Sequence, residues 1–123
     1  IPAVAYLEAL AVRGRILEDF VERVFRRCDA VMAPVATGPA PLIEATAGRT
    51  VEELAARIMP LTHATRPINY LGLPSLAVPC GRVDGLPVAF QLIGRPFAEA
   101  LLFNLGHAYE KASGWRDVAP PVG

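Results

Sequence analysis

Lysine is nearly absent from this chain: Lys111 stands alone against eleven arginines. Serine is almost as scarce, with only Ser75 and Ser113. Hydrolytic chemistry built on several serines or on a lysine base therefore has little material here. There are two cysteines, Cys28 and Cys80, and two histidines, His63 and His107. Their spacing fits no zinc or redox motif, so no metal and no cofactor is expected. The cysteines read as buried thiols of a reducing compartment, which points to the cytoplasm. No apolar run approaches the ~18 residues that would suggest a membrane span, and no charged stretch followed by an apolar one marks a secretory signal. Twelve basic residues balance twelve acidic ones, and no basic stripe with interleaved aromatics argues for nucleic acid as a partner.

Apolar residues are plentiful. They make up 53% of 123 residues, and mean hydropathy is +0.36. A domain this small buries a modest share of its surface. So apolar a chain is expected to hide part of that surface against something else: the N-terminal portion of the same protein, or a second copy in a homodimer. The first residue is Ile1 rather than Met, which reads as a fragment or a processed product.

Residues 3–28 predict one long amphipathic helix. Leu7, Leu10, Leu17, Val21, Val24 and Cys28 recur at helical steps, widened by Phe20 and Phe25. Arg15–Asp19, Asp19–Arg23 and Glu22–Arg26 are spaced to form ion pairs on the opposite face, and Gly14 is its weak point. Ala30–Pro34 predicts a buried strand ended by proline. Residues 35–49, with Pro39, Pro41, Gly38 and Gly48, predict a loop. Thr50 and Glu53 form a capping box for a helix running to about residue 59, which Pro60 ends, kinks or restarts. Asn69–Pro74 reads as a turn-rich connector, followed by a strand over 75–79. Asp84-Gly85 predicts a tight hairpin, with a return strand over 88–93 closed by Gly94-Arg95-Pro96. A last helix is expected over 98–113, stopped by Gly114, and the tail 119–123 is expected to be extended and mobile. The order is α/β with part of the sheet antiparallel, and three strands leave two open edges that call for a larger parent sheet.

Groups suited to chemistry are few. Neither Ser75 nor Ser113 lies in a nucleophile elbow. Cys80 has Arg82 nearby but no evident base, so an independent cysteine hydrolase ranks last among the alternatives. Thr62-His63-Ala64-Thr65-Arg66 is a polar cluster ahead of the Asn69 turn. Its groups suit donation to a carbonyl or carboxylate, or equally the satisfaction of a helix end. His107 reads as a surface residue of the last helix. Glu52, Glu53 and Glu99 serve helix starts, and Glu110 is expected in solvent.

Residues 66–81, from Arg66-Pro67-Ile68-Asn69-Tyr70-Leu71-Gly72-Leu73-Pro74 through Ser75-Leu76-Ala77-Val78-Pro79-Cys80-Gly81, resemble the block before the last hairpin of amidase-signature enzymes. Gly85-Leu86-Pro87-Val88, Gln91-Leu92-Ile93-Gly94-Arg95-Pro96-Phe97, Glu99 and His107-Ala108-Tyr109-Glu110 continue the resemblance in order. The long helix and Asp29–Pro34 extend it upstream. Ala98 departs from it, since the family often has an Asp capping the last helix.

The resemblance implies a mixed, many-stranded sheet wrapped by helices, of which residues 1–123 would form the C-terminal portion. It implies amide hydrolysis by a serine nucleophile, a second serine in a cis peptide and a lysine base, the nucleophile lying in an upstream Gly- and Ser-rich signature that is not among these residues and the lysine earlier still. No catalytic residue is therefore expected here. The segment would supply part of the sheet and part of the acyl-side pocket, with Thr62, His63, Thr65 and Arg66 as candidate wall residues. Arg66 would suit a substrate carboxylate. Asn69 is expected to fix a turn, and Gln91 to bond within the protein. The alternative is a non-catalytic binding or assembly module on the same fold. The parent's setting, stand-alone or within a transamidation complex, stays open.

Overall fold

The computed structural model describes residues 1–115 and Val118. The elements run α1 (Ala3–Val24), β1 (Ala30–Pro34), α2 (Ile43–Thr46), α3 (Val51–Leu61), α4 (Arg66–Leu71), β2 (Ser75–Val83), β3 (Leu86–Gly94) and α5 (Glu99–Ser113). The expected tail at 119–123 lies outside the described residues.

The three strands form one sheet in the order β1-β3-β2, antiparallel at both junctions. A mixed sheet would need strands beyond these three. The hairpin is the one its turn chemistry demands. Asp84 and Gly85 both have positive φ, 51° and 79°. Both strands outrun the expected 75–79 and 88–93. The reason is a bulge: the register shifts between Pro79 and Gly81, so Cys80 is the unpaired extra residue and pairing resumes to Val83. Pro79 is tolerated because β2 is an edge strand.

Side chains alternate across β3, and the two faces bury different partners. Ile93 joins Phe25, Ile68, Leu71 and Leu73 in the main core, with Leu17, Phe20, Val21, Cys28, Val31 and Ala33 packed around it. On the other face lies α5. Phe90 meets Tyr109 edge to face at 4.9 Å, and a Cβ at Gly106 would come within 2.6 Å of Leu76. Helices thus cover both faces of the sheet, α1 and α4 on one and α5 on the other.

Helix α1 ends at Val24, short of the expected residue 28. Phe25 turns into the core, where it is 1% exposed. Its carbonyl leaves the helical ladder to accept from Arg95, whose guanidinium lies 5.6 Å from the centre of the Phe25 ring. Of the expected apolar stripe, Leu17 and Val21 reach the core, whereas Leu7 and Leu10 are exposed. One of the three expected charge pairs, Arg23–Asp19, is formed among the described residues.

Three further expectations need correcting. The loop over 35–49 contains a single helical turn, α2, with the extended Leu42 as its N-cap. Helix α3 opens on the expected capping box, Thr50 with Glu53, but carries Pro60 inside its last turn and stops at Leu61. Pro60 has no amide to donate to Ala56 O, so the ladder loses a bond there and the helix ends one residue later. The expected connector over Asn69–Pro74 is helical in its first half, Asn69–Leu71, because Pro67 sits in the first turn of α4 where its fixed φ suits the helix, and it turns as expected from Gly72. Gly72, at φ 73°, ends α4, with its amide bonded to Asn69 and that of Leu73 to Ile68. Asn69 joins that turn through its backbone carbonyl, which any residue could supply.

Candidate functional site

Two features could form a site: a groove on one flank of the sheet, and the polar turn between α3 and α4. The groove holds about 680 Å³ and is lined mainly by apolar groups, among them Met32, Pro34, Leu61, Cys80, Val88 and Phe90. Much of its wall comes from residues 35–40, which had read only as loop. The available signal was composition: Pro34-Val35-Ala36-Thr37-Gly38-Pro39-Ala40 is too apolar for an ordinary surface loop.

The polar turn follows directly from Leu61, the residue of α3 that reaches the groove. Thr62, His63, Thr65 and Arg66 are brought together there, although none of them lines the groove. The Thr62 hydroxyl donates to Met59 O at 3.4 Å and that of Thr65 to Thr62 O at 3.1 Å. Arg66 donates through Nη2 to Met59 O at 2.8 Å, with Nη1 3.2 Å from Met59 Sδ. These bonds satisfy the C-terminal carbonyls of α3. They also engage only part of the five-donor guanidinium fork, and Arg66 and His63 are both exposed. The turn therefore presents a cation and an imidazole to whatever covers it.

Behind the turn lies Gln91, in the central strand and 3% exposed. Its Nε2 donates to Pro34 O at 3.0 Å and to Ala64 O at 3.3 Å, and its Oε1 accepts from Ser75 Oγ at 2.9 Å. As expected, Gln91 bonds within the protein. Its link to the polar turn was not foreseen. The hint in sequence is a lone amide inside the apolar run Val88-Ala89-Phe90-Gln91-Leu92-Ile93.

The remaining reactive groups are spoken for. Ser75 donates to a carboxamide, which cannot act as a base. Ser113 Oγ lies at the C-terminal end of α5, bonded to Glu110 O and Trp115 N. The Cys28 and Cys80 thiols donate to the Val24 and Val88 carbonyls. Lys111 and His107 are exposed on α5. Among the described residues, no group of three or more His, Cys, Asp or Glu is placed to hold a metal ion, and no helix is long and apolar enough to cross a membrane.

Comparison with known proteins decides the lineage. The family model described as Amidase matches residues 2–103. This chain belongs to the amidase family. A curated relative from Clostridium acetobutylicum, an A subunit of glutamyl-tRNA(Gln) amidotransferase, is 40% identical over 112 residues, which is 91% of this chain and 22% of the relative. Among solved structures, a protein described as an amidase superposes with a TM-score of 0.73 at 29% identity, covering 92% of this chain and 26% of that one. The A subunit of glutamyl-tRNA(Gln) amidotransferase from Thermotoga maritima gives a TM-score of 0.66 at 31% identity, covering 88% and 22%. The amidase-family chain thus spans about 22% of the length of the curated relatives it matches. The resemblance drawn from residues 66–110 and the α/β fold it implied both stand.

Proposed function

We propose that this chain is the C-terminal portion of a serine amidase domain, 1–123, that hydrolyses the C–N bond of a small amide. The attacking serine, the cis-peptide serine and the lysine base would come from the N-terminal portion of the same protein. The observation that carries this is the family match over residues 2–103. Two local facts support it. Both serines here are bonded to neutral groups that cannot take their proton, and the apolar groove and the exposed stripe of α1 suit burial against further polypeptide. In this assembly Thr62, His63, Thr65 and Arg66 form part of the acyl-side wall, and Arg66 is the group that would meet a substrate carboxylate. The cytoplasm is the proposed compartment, in keeping with two cysteines held as thiols.

The test is hydrolysis. A polypeptide joining this chain to its upstream region is expected to turn over members of a broad amide panel, and the 123-residue chain alone none of them. No turnover by the longer protein, or turnover by the short one free of contaminating enzyme, sinks the proposal. The names of the curated relatives favour a second setting, as one component of an amidotransferase. Mass under native conditions separates a stand-alone enzyme or homodimer from a hetero-oligomer.

A further inference from the structure

We infer that Gln91 is a positioning residue, which holds the Thr62–Arg66 turn in place against the sheet through the Ala64 carbonyl; the inference rests on the pocket-wall role proposed above. The side-chain bonds made by Thr62, Thr65 and Arg66 all run to carbonyls or a sulfur within seven residues, at Ile58, Met59 and Thr62. Backbone bonds in the turn are equally local. Among the described residues, the one hydrogen bond that ties this stretch to a distant element is Gln91 Nε2 to Ala64 O, across 27 positions.

The carboxamide can face only one way. Pro34 O and Ala64 O are both acceptors, so both must be met by the NH₂ group, and the oxygen is left for the Ser75 hydroxyl. Every polar atom of a side chain that is 3% exposed is then used. Gln91 joins the end of β1, the start of β2 and the middle of the turn at a single buried point. A glutamate of the same shape would set a carboxylate against two carbonyls, and a methionine would leave both carbonyls unpaired. Because β3 is the central strand, the hold is referred to the most constrained element of the sheet. His63 and the uncommitted donors of Arg66 are left to face a ligand while the backbone of the turn is fixed from behind.

The experiment uses the longer amidase polypeptide that contains this chain, unsubstituted and with Gln91→Met, Gln91→Asn or Ser75→Ala. Hydrogen exchange is followed at the Thr65 and Arg66 amides, which bond to Thr62 O, and in the β2–β3 hairpin. With Gln91→Met the turn amides are expected to exchange at least about tenfold faster while the hairpin amides keep their rates. Gln91→Asn keeps the amide but shortens its reach, and is expected to loosen the turn should Gln91→Met not fold. Ser75→Ala leaves both donors in place and is expected to change little. In amide hydrolysis the Gln91 variants are expected to raise KM about tenfold with kcat within about threefold. Equal acceleration of turn and hairpin, or a fall in kcat at unchanged KM, overturns the inference, since both mean support of the fold alone. A longer protein without any amidase activity removes the pocket-wall role, while the exchange pattern still decides whether Gln91 holds the turn.

Discussion

The C-terminal half of α1 seats Leu17, Phe20 and Val21 on the core, whereas the N-terminal half leaves Val4, Leu7 and Leu10 exposed. The sequence pattern is continuous across both halves, so the difference lies in what each half meets. Residues 17–25 face α4 and Ile93. Nearer the start, contact is reduced to points: the Tyr70 hydroxyl on Ala9 O, and Arg13 Nη2 on Leu71 O at 3.2 Å. An amphipathic stripe marks a face suited to burial, and among the described residues only the C-terminal half of that stripe meets a partner.

The contrast is broken most severely at Phe25, the largest fully buried side chain. Phe25→Ala is expected to lose ~3–5 kcal/mol in chemical denaturation of the chain. It removes the ring that Arg95 covers and that Phe20 meets edge to face at 5.9 Å. Next comes Gly72→Ala, expected to cost ~2 kcal/mol from the left-handed conformation alone; a midpoint unchanged within error would refute this. Thr50→Ala removes the capping box at a cost of ~1 kcal/mol, read as a lower denaturation midpoint. The smallest effect belongs to Leu7→Ser, expected within ~0.5 kcal/mol in the chain by itself. In the longer polypeptide proposed above, the same substitution is expected to cost ~2 kcal/mol, the value of a buried leucine. Equal effects in both proteins would erase the distinction between the two halves of the helix.

Much of the fold was legible because its signals are local. The Asp84-Gly85 turn, the capping box at Thr50 and the Gly114 stop each depend on a few adjacent residues, and each forms as read. Endpoints set by distant contacts were not legible. The end of α1 depends on Arg95, some 70 positions away, and the extra length of the hairpin depends on how Cys80 is accommodated in the bulge. The candidate site divides the same way. Proximity of Thr62, His63, Thr65 and Arg66 follows from sequence. Their anchoring by Gln91, and a groove assembled from β1, the loop after it and the hairpin, are products of sheet order.

Gly72 illustrates how one absent carbon can serve two segments at once. A Cβ there would press on Arg13 Nη2, the donor through which α1 is keyed to the end of α4. The short helix ends on this glycine, and the long helix uses the vacancy it leaves to bring the Arg13 guanidinium onto Leu71 O. A side chain at this corner would therefore strain the backbone where one helix ends and displace a polar tether from another, 58 positions away in sequence.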